Sequence, residues 1–268
     1  MAKLDASRTA LEVSDVELAV GAMLLATPDH PSLSSPAARE AVGRLEEAGV
    51  VDDGRVSGYA AELLSVVAAP KLEVIVEKFM AERTVVDYAW ATEAHAVWGE
   101  ATRDRALELT PVEPGLIPWA ISRSVGLGPR TDASSDLRIS LHSSTLDRAF
   151  ELLATEGRQA AEDALESDTE LEPDSRGVLI QLLLDRQLSW RASSSWKDPE
   201  RGQQIAWVAV IDGGESGLWL SDNDEDPRDP VVWLDPIRPG AAWDQIVDLM
   251  PTPQNGGTAG AERVESRP

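Results

Sequence analysis

The chain has 268 residues, 43% of them apolar, and a formal charge of −23, enough for one large domain or two intertwined small ones. That charge argues against nucleic acid, whose binding needs clustered Lys and Arg to release counterions, and it disfavours anionic membrane surfaces. With no cysteine and only three histidines, a disulfide framework, a thiol nucleophile and a thiolate metal site are excluded.

The first 26 residues, MAKLDASRTALEVSDVELAVGAMLLA, are interrupted by Asp15 and Glu17. They lack the apolar core of a signal peptide, and no run approaches the ~18 residues of a spanning helix. The expectation is a soluble, cytoplasmic protein without membrane insertion. Ser14 and Glu17 have the spacing of a capping box, and Val16, Val20, Met23 and Leu24 then form an apolar helical face. Ser35-Pro36 opens a second helix, striped by Ala38, Ala41, Val42 and Leu45 and ended by Gly49. A third helix covers roughly 57–68 and stops at Pro70.

After Pro70 the period changes to two, with Leu72, Val74 and Val76 alternating against Glu73, Ile75 and Glu77. VVDYAWA, HAVW and ALEL read as further strands, ended by Pro111, and Pro114-Gly115 leads into a closing helix near 116–125. The second half repeats this order. Helices are predicted near 145–155, 158–166 and 175–185, and strands at LSWRASSSW, IAWVAVI, GLWL and VVWL. Pro236 and Pro239-Gly240 then precede a helix carrying Trp243, Ile246, Val247 and Leu249. Leu72 answers Leu188, Trp98 answers Trp219, and Pro111, Pro114 and Gly115 answer Pro236, Pro239 and Gly240.

These parallels predict an internal duplication. The fold class is α+β, an internally duplicated quasi-twofold fold whose central antiparallel sheet is flanked by helical bundles. Residues 1–130 and 139–250 are the two halves of one compact domain, 126–138 connect them, and the polar tail 251–268 reads as disordered. IAWVAVI and VVWL are apolar on both faces, so those strands are expected to be covered on each side.

No catalytic, cofactor or metal motif emerges. Asp222–Asp226 resembles the start of a calcium loop, but Pro227 stands where glycine is needed and Trp233 where the bidentate glutamate is needed. GGESG (213–217) has neither the lysine of a phosphate loop nor the spacing of a nucleophile elbow, and reads as a hairpin turn. His95 follows Glu93 on one strand face, yet no nucleophile or metal cluster attends it, so it reads as a surface or interface histidine. His30 and His142 fall in loops. The carboxylates from Glu162 to Asp174 have no interleaved base and read as a solvated helix end and loop. Nine tryptophans against two phenylalanines and two tyrosines divide between packing and recognition. Trp90, Trp98, Trp207, Trp219 and Trp233 lie inside strands, and Trp196, beside ASSS and KDPERGQQ, is the best single candidate for an exposed contact.

The phrases AELLSVVAAPKLEVIVEKF, VDYAWATEAHAVWG and ALELTPVEPGLIPWAI, in that order, resemble the EspG family of type VII (ESX) secretion-associated proteins. The resemblance covers roughly residues 10–250. It implies a quasi-twofold α+β fold and a non-enzymatic cytosolic chaperone of the actinobacterial type, which binds the tip of PE/PPE-like helical substrates and keeps them soluble. The chain departs from the family's usual opening, where a Trp-containing helix and a Leu-Pro-Pro strand give way to ELAVGAMLLATPDHPSL. Its second half is also richer in tryptophan. No binding site transfers residue by residue, so the candidate partner-binding residues are Trp196, Trp98, His95 and Trp219, with loops near 77–85 and 194–204. The chain itself is expected to be a monomer or weak homodimer. Two other readings stay open: an acidic regulatory protein–protein interaction module built of two winged-helix-like halves, and an enzyme using scattered carboxylates. One continuous sheet favours the chaperone over two separate small wings.

Overall fold

The computed structural model describes residues 2–5, 9–56, 58–80, 83–133, 137–224 and 228–251. The tail from 252 onward and Glu225, Asp226 and Pro227 of the acidic loop lie outside the described residues. The chain divides into two compact units. The first takes in the described residues of 1–77, 85–124 and 193–206, and the second those of 78–84, 125–192 and 207–268.

The elements of the first half are β1 (Lys3–Asp5), β2 (Ala10–Val13), α1 (Asp15–Ala26), α2 (Pro36–Glu47), β3 (Val51–Asp52), β4 (Arg55–Val56), α3 (Gly58–Ala68), β5 (Leu72–Phe79), β6 (Thr84–Ala91), β7 (Ala96–Ala101), β8 (Leu107–Val112) and α4 (Ile117–Ser124). Those of the second are β9 (Ile139–His142), α5 (Ser143–Thr155), α6 (Arg158–Glu166), α7 (Pro173–Asp185), β10 (Leu188–Asp198), β11 (Gly202–Asp212), β12 (Leu218–Asn223), β13 (Val231–Ile237) and α8 (Pro239–Asp248). β3 and β4 form a separate hairpin. All other strands belong to one sheet, ordered β1-β2-β8-β7-β6-β5-β10-β11-β12-β13-β9. The run β2-β8-β7-β6-β5 has the connectivity of β9-β13-β12-β11-β10, so the topology is duplicated.

The registers refine the repeat. Val97 lies opposite Trp90 and Pro111, as Trp219 lies opposite Ile211 and Pro236. The counterpart of Trp219 is therefore Val97, and that of Trp98 is Leu220. Matching the two tryptophans is wrong by one residue, which in a strand places a side chain on the opposite face. Val97 belongs to the core beneath α1–α3, with Leu11, Leu18, Leu45, Leu64, Trp90 and Leu109. Trp219 belongs to the core beneath α5–α7, with Ile139, Leu141, Leu165, Leu179 and Leu234.

The prolines do not end their strands as expected, since β8 continues to Val112 and β13 to Ile237. Pro111 and Pro236 each lie two residues beyond the last pair made by the outer neighbour, Leu11 with Leu109 and Ile139 with Leu234. There a missing N–H costs the ladder nothing.

α1 forms as its signals dictate, with the Ser14–Glu17 capping box complete. Its inward face is not the expected one. Glu17, Leu18, Val20 and Gly21 are buried, whereas Val16 is 47% exposed. A helix apolar all round carries no periodicity from which to choose a face. Gly21 packs directly against Leu64, whose Cδ1 would lie 2.9 Å from a Cβ at that position. Glu17 tolerates burial because Arg44 donates to it at 2.6 Å and the Ser14 N–H at 2.9 Å. Burial pushes its carboxyl up, but those donors outweigh the burial and hold it below the ordinary 4.5. The stabilisation from Glu17 is thus present above pH 4.5 and is lost as pH falls through its lower folded value. Acid unfolding of Glu17→Gln, followed by circular dichroism, should show a weaker pH dependence between 4.5 and the acid limit.

In the second unit the connector is fixed by Arg130, whose Nε and Nη2 reach Asp212 at 3.1 and 2.8 Å. Asp212 is 4% exposed and also accepts the Gly214 N–H at 3.0 Å. Removing the cation strands a buried carboxylate, which costs about 3–5 kcal/mol. Arg130→Ala should lower the urea-unfolding free energy by that amount, and Arg130→Lys should restore only part because lysine lacks the planar fork.

Candidate functional site

The β10–β11 hairpin joins two strands of 11 residues each. Asp198 closes its turn, accepting the N–H groups of Glu200 and Arg201 at 2.8 Å each. These donors hold the Asp198 carboxyl below its ordinary value. Gly202 follows at φ 79°, a conformation that favours glycine. Strand rather than loop thus occupies most of 194–204, a correction to the sequence reading.

Alternation sorts the side chains of the hairpin. Trp190, Ala192 and Ser194 of β10 and Val208 and Val210 of β11 are buried. On the opposite side of β11, Ile205 is 71% and Trp207 45% exposed, in line with exposed Gln203. The expectation that IAWVAVI is covered on both faces therefore fails for its first half. β12 pairs only with Ala209–Asp212, and Ile211 lies under α5–α7. The outer half of β11 runs past that cover.

Trp98 and Trp219, proposed from sequence as contacts, are 1% and 0% exposed. Both side chains belong to the interior and not to the surface. Trp219 donates its indole N–H to the Ser216 carbonyl at 2.9 Å. Trp196 is half-buried in a shallow depression of about 520 Å³ lined by Pro70, Lys71, Glu73, Ser195, Lys197 and Gln203. His95 is exposed in the β6–β7 turn, where its N–H donates to Thr92 Oγ1 at 3.1 Å. Glu93 pairs with Lys71 at 2.5 Å, and the Lys71 ammonium draws its carboxyl below the ordinary range. Lys71 thus borders both the Trp196 depression and the His95 turn, so structure brings these two candidates to one neighbourhood.

A second shallow concavity runs along α5, where Asp147, Arg148, Glu151 and Glu156 line an open helical face. Among the described residues no three His, Asp or Glu side chains are placed to hold a metal ion, and no helix is long and apolar enough to cross a membrane.

Ile205 and Trp207 were not singled out from sequence as contacts. Their pattern is that of any buried strand, and the usable signal was length, since this strand outruns its partner GLWL. Another exposed aromatic, Trp119 on α4, is 54% exposed beneath the guanidinium of Arg123, 5.4 Å from the ring centre.

The architecture defines an α+β protein with an EspG-like fold. It is similar to the Mycobacterium tuberculosis type VII secretion system chaperone EspG5, solved in complex with a PE25–PPE41 dimer, with a TM-score of 0.57 and 14% identity over 91% of this chain and 98% of that one. No protein-family model matches the sequence, and no curated protein matches it.

A soluble paramagnetic relaxation agent should separate the indole N–H resonances by burial. Those of Trp119 and Trp207 should broaden strongly, while Trp98, Trp190 and Trp219 remain sharp.

Proposed function

We propose that this chain is a non-enzymatic chaperone of the EspG type, which holds a PE/PPE-like helical client in the cytoplasm before type VII (ESX) secretion. The observation that carries the reading is the uncovered β11 row. Ile205 and Trp207 stand exposed on one side of β11, whose other side carries buried Val208 and Val210 further along, and neighbouring exposed apolar side chains of this kind suit a contact surface. The fold likeness to a type VII secretion chaperone solved in complex with a PE25–PPE41 dimer supports the same reading.

In mechanism, the apolar end of the client lies against Ile205 and Trp207, next to exposed Gln203 at the rim of the Trp196 depression. Covering the client's apolar end suppresses its self-association until handover. The formal charge of −23 keeps the loaded complex soluble and repels acidic competitors. The chain acts as a monomer or weak homodimer.

Co-expression with PE–PPE-type pairs encoded by the same genome, followed by sizing, is expected to give a stable complex. Ile205→Glu and Trp207→Ala should each weaken it by about 2 kcal/mol or more, roughly 30-fold in Kd. Their thermal stability should stay near wild type because both side chains are exposed. Failure of every such pair to associate, or binding unaffected by both substitutions, contradicts the reading.

A further inference from the structure

The two halves begin their first helix at matching places but secure it differently. In the first half Ser14 and Glu17 cap α1 locally. The matching position before α5 is His142, which ends β9 and makes no side-chain cap of its own.

Two carboxylates from distant segments hold this junction instead. Asp168, from the α6–α7 connection, accepts the His142 backbone N–H at 2.9 Å and lies 3.2 and 3.3 Å from His142 Nδ1. It also accepts the Glu170 N–H at 2.9 Å and the Thr145 hydroxyl. Asp229, before β13, accepts Ser143 Oγ at 3.1 Å and Ser144 N and Oγ at 3.0 and 2.7 Å. The Ser143 N–H donates to the Pro230 carbonyl at 2.8 Å.

The charges are unequal. The Asp168 side chain is 0% exposed, while that of His142 is 31% exposed and open to titration. Charged groups facing His142 are Asp168 and Glu170 from the α6–α7 connection and Asp229 from the β12–β13 connection. On α5 itself, Asp147 and Arg148 follow one turn on. Of the groups that donate to Asp168, only His142 can carry positive charge, and a buried carboxylate deprived of its counter-charge is costly.

We propose that His142 is a pH-sensitive latch on the β9–α5 junction, closed when its imidazole is protonated and loosened when it is neutral. β9 carries Ile139 and Leu141, both 0% exposed beneath α5–α7, and it pairs along Val231–Leu234 of β13. Loosening the latch therefore frays an end strand and the start of the helix it leads into. Hydrogen bonding to Asp168 raises the imidazole above its ordinary 6.5, against the opposing effect of burial. The contribution is complete below pH 6.5 and is lost as pH rises through the higher folded value. On the acid side, burial pushes Asp168 up but its donors win and hold it below the ordinary 3.8. It stays charged well into acid, so the latch is closed in mildly acidic solution and opens toward alkaline pH.

Amide hydrogen exchange on the full chain, corrected for intrinsic rates, tests this. Protection at His142, Ser143 and Ser144 should fall severalfold between pH 6 and 8.5, as loss of the imidazolium charge makes local opening of the junction easier. Leu220 and Ser221 of β12 should not change, and His142→Gln should lose the pH dependence. Equal protection at both pH values in the wild type, or the same fall in His142→Gln, overturns the proposal. If the variant does not fold, wild-type NMR decides. A shared midpoint for the His142 ring and the Asp168 and Glu170 amides supports the latch, and separate midpoints overturn it.

Discussion

The length of the helical cover, set against the length of the strands beneath it, governs this molecule. A strand advances about 3.3 Å per residue and a helix about 1.5 Å. β11, with 11 residues, therefore runs roughly 36 Å, whereas α5 and α7, with 13 residues each, span at most roughly 20 Å. β12 adds six residues and pairs with only the last four of β11. The inner end of the strand carries buried Val208, Val210 and Ile211, whereas in the outer end Gln204 and Ala206 are half-buried on one face and Gln203, Ile205 and Trp207 are exposed on the other. From this mismatch follow the exposed positions of Ile205 and Trp207 and the reading of that row as a place for another polypeptide.

Duplication explains why the mismatch is tolerated. Each half is an ordered set of three helices, four antiparallel strands and a closing helix, with an outer strand laid on its edge. Each keeps its own apolar cluster, so stability does not rest on the outer half of β11. The halves have since diverged at equivalent places. A local Ser–Glu cap starts α1, whereas long-range carboxylates start α5. Val97 fills the site that Trp219 fills in the second half. Such pairs show which features the fold requires and which were free to take on other work.

Much of this was legible in the sequence, and the legible parts share a cause: local chemistry decided them. Ser14 with Glu17, Ser35 with Pro36 and Gly49 at the end of α2 act within four residues, and each acts as read. Leu72, Val74 and Val76 alternate as they pack. What was not legible depended on distant neighbours. β2 and β9 are four residues each and exist because β8 and β13 offer them an edge. Val16 points outward although it is apolar, because α1 carries apolar residues around most of its circumference and its neighbours α2 and α3 decide which of them are covered. Trp98 and Trp219 look equivalent until the pairing is known, and one residue of register separates their faces. Ile205 and Trp207 have the sequence of a buried strand and the surroundings of an exposed one. Only the reach of β12 and α5–α7 distinguishes the two.

The most direct test places a photo-cross-linking residue at position 205 and, as a control, at exposed position 247 on α8, in the native host. The account predicts that position 205 captures a helical PE/PPE-like secreted protein, identified by mass spectrometry, and that position 247 does not. Capture of that client from position 247 with none from 205, or capture from 205 of this chain alone, would contradict it.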